Sequence, residues 1–109
     1  MIQPTSSFKD NLQLLPSIEG MAQIVLWDAS GTVVATIDNA PGKSGSVRVY
    51  NYLLIAYGEL NPEAAQHGLE VFGEHTADAK ARPGAHTNID RLFEVIEMGS
   101  VLKISPVAA

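Results

Sequence analysis

The chain has 109 residues, 46% of them hydrophobic and 17% charged, a composition that predicts a single compact domain over residues 1–109 with its own core. Its 12 acidic and 7 basic residues give a net charge of −5, which argues against nucleic-acid binding, because a phosphate backbone requires clustered Lys and Arg. No cysteine is present, so disulfides, thiolate nucleophiles and thiolate metal sites are excluded.

Neither end of the chain predicts export or membrane insertion. Residues 1–11 are polar and lack the charged and apolar regions of a signal peptide. The longest apolar run, residues 52–57, is far shorter than the roughly 20 residues of a membrane span. We therefore expect a cytoplasmic protein with no membrane partner.

The first predicted element is a short helix. Ser7 is a suitable cap and Asp10 follows in the first turn, where the helix dipole favours an acid. Phe8, Leu12 and Leu15 form one apolar stripe, and Pro16 ends the helix.

A β-hairpin follows. Residues 22–27 and 32–37 are rich in β-branched side chains, and residues 28–31 (Asp-Ala-Ser-Gly) have turn chemistry. Residues 39–46 are predicted to form a loop.

Residues 47–57 fit either a third strand or a helix. Aromatic and β-branched residues favour a strand, whereas Ser46 as a cap, Gly58 as a stop and the helical spacing of Tyr50, Leu54 and Tyr57 favour a helix. We prefer the helix. Because it is apolar nearly all round, it must be covered within the domain or by a second copy. The second case predicts a homodimer with Tyr50, Leu54 and Tyr57 at its interface.

Two more helices and a strand complete the chain. Asn61-Pro62-Glu63 starts a helix that can run to about Ala81, before Pro83-Gly84. Thr87 or Asn88 caps a last helix ending at Gly99, and residues 101–105 form a strand whose end is blunted by Pro106. The order α-β-β-α-α-α-β predicts an α+β fold. About four helices cover mainly one face of a small antiparallel or mixed sheet, in which the last strand lies beside the hairpin.

Several segments resemble a small uncharacterised bacterial protein family of unknown function. They are Phe8-Lys-Asp-Asn-Leu12 with Leu15-Pro16, Pro41-Gly-Lys-Ser-Gly-Ser46, Glu74-His-Thr-Ala-Asp78 and Asn88-Ile-Asp-Arg-Leu92. The resemblance covers nearly the whole chain. It implies a bacterial cytosolic protein and brings no catalytic residues with it.

Two motifs resemble a cofactor site and a metal site, and for both we prefer an interpretation without a ligand. Gly42-Lys-Ser44 lacks the upstream glycine of a phosphate-binding loop, because Ile37 stands at that position, so we interpret it as a hydrated connection whose amides could hold an incidental anion. Glu63, His67, Glu70 and Glu74 share one helix face opposite the apolar stripe, so we interpret them as a solvated face. We expect no cofactor and no metal.

The run from His75 to Arg91 carries most of the polar chemistry. Asp78 follows His75 by three residues on one helix face, and Arg82 lies in the last turn. His86 follows Pro83-Gly84 and can fold back toward His75. His75, Asp78 and His86 are the candidate catalytic residues, and Arg82 and Arg91 are candidate ligands for a small anion. Helix capping accounts for many of the same residues without any function.

Two functions remain open. The first, which we prefer, is a non-enzymatic binding or assembly module that acts through protein–protein contacts. The alternative is a small enzyme or anionic-ligand-binding protein that uses the His/Asp/Arg cluster at residues 75–91. The sequence leans away from an enzyme because no nucleophile, base and oxyanion donor occur in a known pattern.

Overall fold

A computed structural model describes all 109 residues. It contains five helices and three strands, in the order α1 Phe8–Leu12, β1 Met21–Trp27, β2 Val33–Asp38, α2 Ser44–Tyr57, α3 Pro62–Val71, α4 Glu74–Ala81, α5 Thr87–Met98 and β3 Lys103–Ala108. The α+β fold is confirmed, but there is one helix more than the predicted order allows. None of the helices combines the length and the apolar character that a membrane crossing requires.

The sheet is antiparallel, with β1 between β2 and β3. Residues 28–31 form the predicted turn: Asp28 Oδ1 accepts hydrogen bonds from the amides of Ser30 and Thr32, at 2.9 and 3.0 Å. β3 lies beside the hairpin as predicted, but it continues through Pro106 to Ala108. Because β3 is an edge strand, the missing N–H of Pro106 is tolerated within it.

The α2 segment is a helix, as preferred, and it is covered by its own chain. It packs on all three strands. Val47, Val49 and Tyr50 are fully buried, so most of the apolar surface of α2 is already covered within the domain. The helix ends at Gly58, whose φ of 80° fits glycine and whose amide donates to Leu54.

The single helix predicted from Pro62 to about Ala81 is wrong, because the chain breaks at Gly73. Gly73 has a φ of 59°, and a Cβ placed on it would lie 2.8 Å from both the carbonyl oxygen of Ser6 and the amide nitrogen of Phe8. The N-terminal segment therefore packs directly against this corner. The contact is not local in sequence, so the helical periodicity alone gave no sign of it.

Helices α2, α3 and α5 meet closely at Gly68. A Cβ at this position would lie 2.9 Å from Leu92 Cδ1 and 3.0 Å from Leu53 Cδ1. The absence of a side chain thus lets α3 approach both neighbours. This packing fixes the start of α5 relative to α2, and the cleft described next lies between the beginnings of those two helices.

Candidate functional site

A cleft of about 370 Å³ lies where the beginnings of α2 and α5 meet the corner between α3 and α4. Its lining residues come from three places: Gly42, Lys43 and Ser46 around the start of α2; Phe72 and His75 at the corner; and Ala85, His86, Thr87, Asn88 and Ile89 around the start of α5. No acidic side chain is among them, although the chain as a whole carries a net charge of −5. The ionisable groups of the lining are therefore one lysine and two histidines.

The two histidines lie close together, as their positions in the sequence suggested. The ring centroids of His75 and His86 are 5.8 Å apart, and the rings are tilted by 42°. The side chains are 44% and 27% exposed, so both remain accessible from the cleft.

Asp78 contacts the Nε2 atom of His86. Its carboxylate accepts a hydrogen bond from His86 Nε2 at 2.5 Å and two from the Arg82 guanidinium, from Nε at 2.9 Å and from an Nη group. The hydrogen bonds from Arg82 lower the pKa of Asp78 far below its usual range, and the hydrogen bond from His86 makes a smaller contribution in the same direction. Because Asp78 takes up Nε2 of His86, Nδ1 is the ring nitrogen left for a ligand.

His75 is positioned by the first helix. The Phe8 ring meets the His75 ring edge-on at a centroid distance of 5.2 Å and stacks on Phe72, also at 5.2 Å. Glu74 Oε2 accepts a hydrogen bond from the Phe8 amide at 2.9 Å, which lowers the pKa of Glu74. Glu74 Oε1 lies 3.6 Å from His75 Nε2. Each imidazole of the cleft thus has a carboxylate beside its Nε2.

Both helices that begin at the cleft lack a side-chain cap. Lys43 occupies the N-cap position of α2 and His86 that of α5, and neither side chain bonds to its own first turn. The predicted cap at Thr87 or Asn88 is therefore wrong, since both residues already lie in the first turn of α5. The amides of a first helical turn carry partial positive charge, which adds to that of the basic side chains.

The buried Tyr50 forms hydrogen bonds with residues at the start of α5. Tyr50 donates a hydrogen bond of 2.6 Å to the carbonyl oxygen of Asn88 and accepts one of 3.1 Å from Arg91. Burial raises the pKa of Tyr50 to about 12, so its hydroxyl remains a donor throughout the neutral range. Arg91 also donates to Asn88 Oδ1 at 2.9 Å.

Comparison with known proteins supplies a family. Residues 8–106 match the family described as "Uncharacterized protein conserved in bacteria (DUF2322)". The chain belongs to this family. No curated protein and no solved structure matches it. The function of the family is unknown, so any activity has to be argued from the cleft itself. Three of the segments that carry the resemblance, residues 41–46, 74–78 and 88–92, contribute lining residues to the cleft.

The two arginines expected to bind an anion do not line the cleft. Arg82 is paired with Asp78, and Arg91 is directed at Tyr50 and Asn88. Lys43 and Ser46 do line it. From the sequence, residues 42–44 are interpreted as a hydrated connection whose amides could hold an incidental anion, and their position directly before a helix is the only signal for a binding role.

Three residues were expected at an interface with a second copy. Tyr50 is fully buried in the core of its own chain, so it is not on any surface. Leu54 and Tyr57 are half-buried. The exposed apolar residue of α2 is Ile55, which is 63% exposed.

The polar face predicted for α3 is interrupted by a buried histidine. Glu63, Glu70 and Glu74 are exposed, but His67 is buried, and its Nε2 lies 2.7 Å from the hydroxyl of Tyr52. His67 Nδ1 lies 3.5 Å from Glu70 Oε2. The solvated-face interpretation is therefore wrong for His67. No group of three or more His, Asp or Glu residues is arranged to hold a metal ion.

Proposed function

We propose that the protein binds a small anionic ligand in the cleft between the starts of α2 and α5. The observation that carries this proposal is the charge of the lining. Lys43, His75 and His86 converge on one cavity that has no acidic member, in a chain of net charge −5.

The backbone also attracts an anion to the cleft. The first turn of a helix stabilises a nearby negative charge by about 0.3–1 kcal/mol at an exposed site, and two uncapped first turns border this cleft. Anion binding at helix N-termini uses the same amides that a capping side chain would otherwise satisfy. The basic side chains and the two first turns therefore act in the same direction.

The size of the cleft fits a small molecule. Ligand pockets usually range from roughly 300 to 1,000 Å³, and this cavity of about 370 Å³ lies near the lower limit. It is rigidly framed, since Asp78 fixes His86, Phe8 contacts His75 and Tyr50 holds the carbonyl group of Asn88. A preformed site loses little freedom on binding.

A titration with inorganic phosphate tests the proposal. In ¹H–¹⁵N spectra we expect the shifts to concentrate at the amides of residues 42–46 and 85–89. Lys43→Met should weaken binding severalfold, because it removes the one permanent positive charge of the lining. Lys103→Met is the matched control, since Lys103 is an exposed lysine on β3 that does not line the cleft. Equal binding by the two variants, or shifts spread over the whole surface, would contradict the proposal.

A homodimer is the second candidate, and the open face of the sheet favours it. Ile24 and Leu26 of β1 are buried beneath the helices, so the alternate residues Val25 and Trp27 face away from them. Val33 pairs with Trp27 beyond a register irregularity, and Val107 pairs with Gln23, so both lie on that outer face; the two valines are 46% and 36% exposed. Such a face is also common on monomers, because antiparallel sheets often have one solvated side.

Sedimentation velocity over a range of protein concentrations tests the dimer. Val33→Lys should abolish association, because it places a charge on the open face. Val101→Lys is the control, at a valine of similar exposure (42%) outside the strands. A wild-type chain that sediments as a monomer at every concentration would rule the dimer out.

The proposed location is the bacterial cytoplasm, which cell fractionation tests directly.

A further inference from the structure

We infer that a second copy of this chain covers the open face of the sheet in a two-fold arrangement, which pairs Asp38 of each copy with Lys103 of the other. This inference rests on the homodimer proposed above and goes further, because it names the residues that orient the two copies.

The charge pattern of the strands carries the inference. β1, β2 and β3 together contain only two charged residues, Asp38 and Lys103. On the central strand Asp38 pairs with Gln23 and Lys103 pairs with Trp27, so both side chains lie on the open face. The face is therefore neutral, and the net charge of −5 belongs to the rest of the chain. Two copies of this acidic chain repel each other least where their neutral faces meet.

The two charges cannot pair within one copy. Asp38 and Lys103 lie on opposite edge strands, and their partners on β1 are four residues apart. Ordinary strand spacing and rise place them roughly 17 Å apart, which is too far for the side chains to meet. Both side chains are exposed, and neither forms a salt bridge within its own chain. A pairing between them therefore requires a second molecule.

Two-fold symmetry turns this diagonal arrangement into two ion pairs. In a two-fold dimer, a contact from one residue to a second residue of the partner is repeated in the opposite direction. One acid and one base at opposite corners of the face thus meet their counterparts on both sides of the axis. The charge pattern of the face is complementary to itself, which argues for a second copy rather than a different protein.

The apolar residues of the face supply the rest of the contact. Val25, Val33 and Val107 share it with Trp27, the only tryptophan of the chain. Three strands of six or seven residues give a footprint of roughly 300 Å². This area is small compared with the about 800 Å² that each partner buries in a standard interface. We therefore expect a reversible dimer that forms at high protein concentration.

Tryptophan fluorescence and sedimentation velocity, measured together up to about 1 mM protein, test the inference. We expect the wild type to dimerise with a blue shift of the Trp27 emission, because Trp27 lies on the face that becomes covered. Asp38→Lys should weaken dimerisation about tenfold, since it places lysine opposite lysine twice. The double variant Asp38→Lys/Lys103→Asp should restore the affinity of the wild type.

Glu97→Lys is the matched control, because it makes the same change of charge at an exposed position of α5. Both lysine substitutions make the acidic chain less negative, so a general effect of net charge would strengthen association in both variants. The inference expects the opposite result for Asp38→Lys alone. Thermal unfolding of each variant distinguishes lost association from lost folding.

The outcomes separate this inference from the proposed homodimer. If the wild type dimerises with a blue shift but Asp38→Lys associates as tightly, or the double variant does not recover, the charge pairing is overturned and the homodimer stands. If the wild type stays monomeric, both fail. A dimer whose Trp27 emission does not change uses another surface, and this result also overturns both.

Discussion

Asp78 Oδ2 lies 2.5 Å from His86 Nε2 and joins the body of α4 to the start of α5. This contact closes the corner around Pro83 and Gly84 and sets which nitrogen of His86 remains free. Arg82 completes the arrangement by pairing with the same carboxylate. Asp78 is therefore a positioning residue for the cleft, since it does not line the cavity.

Protonation of Asp78 should destabilise the protein in acid. Hydrogen bonds from Arg82, and then from His86, lower the pKa of Asp78 in the folded chain below its usual value of 3.8. The stability that this group contributes is therefore fully present above about pH 3.8 and is lost as the pH falls through the folded-state pKa. In Asp78→Asn the unfolding free energy, from urea titrations between about pH 7 and pH 2, should fall less steeply with acid than in the wild type. Asp38→Asn, at an exposed carboxylate at the end of β2, serves as the control. Parallel curves for wild type and Asp78→Asn would contradict the prediction.

Gly73→Ala should destabilise the fold more than a substitution at another glycine of positive φ. A side chain at φ 59° costs roughly 1–3 kcal/mol, and the new Cβ would also press on the backbone of Ser6 and Phe8 at 2.8 Å. Gly84→Ala is the control, because Gly84 has a φ of 91° with nothing within 4 Å of its Cβ position. Urea unfolding measures both variants. An equal loss in the two would show that the N-terminal segment does not pack on the α3–α4 corner.

Asn11→Asp should be strongly destabilising at neutral pH. Asn11 is fully buried, and its Nδ2 donates to the carbonyl oxygens of Thr5 and Val71 at 2.8 and 2.9 Å. Aspartate has nearly the same shape but places a buried charge against these two oxygens, so we expect a loss of about 2–4 kcal/mol. The loss should shrink in acid, where the protonated side chain can donate one bond. Gln13→Glu, an exposed change of the same charge, should have little effect on chemical denaturation. A similar loss in both variants would argue against the buried hydrogen bonds.

Tyr50→Phe should loosen the start of α5. The substitution removes the bond to the carbonyl oxygen of Asn88 and the acceptor for Arg91, with an expected cost of about 1–2 kcal/mol. Because the pKa of Tyr50 is raised to about 12, this cost should not change between neutral and mildly alkaline pH. Phosphate affinity should also fall, since Asn88 lines the cleft. Tyr57→Phe, at a half-buried tyrosine on the same helix, is the control for urea unfolding and phosphate titration. Unchanged stability in Tyr50→Phe would contradict the supporting role.

Local signals in the sequence were enough to predict most of the elements. The turn at residues 28–31, the cap at Asn61 with Pro62 behind it and the stops at Gly58 and Gly99 all act over a few residues. These features can be predicted from the sequence because hydrogen bonds within a turn or at a helix end depend on neighbouring side chains.

The cleft depended on contacts that are distant in the chain. His75 and His86 were predicted to approach each other because they flank one corner, but Lys43 reaches them only because α2 begins beside α5. Similarly, the break at Gly73 follows from a contact with Ser6 and Phe8, and His67 is buried because Tyr52 lies against it. The fold class and the chemical groups on hand thus follow from patterns in the sequence. Which of these groups share a cavity follows from packing, because packing brings together residues that no local pattern connects.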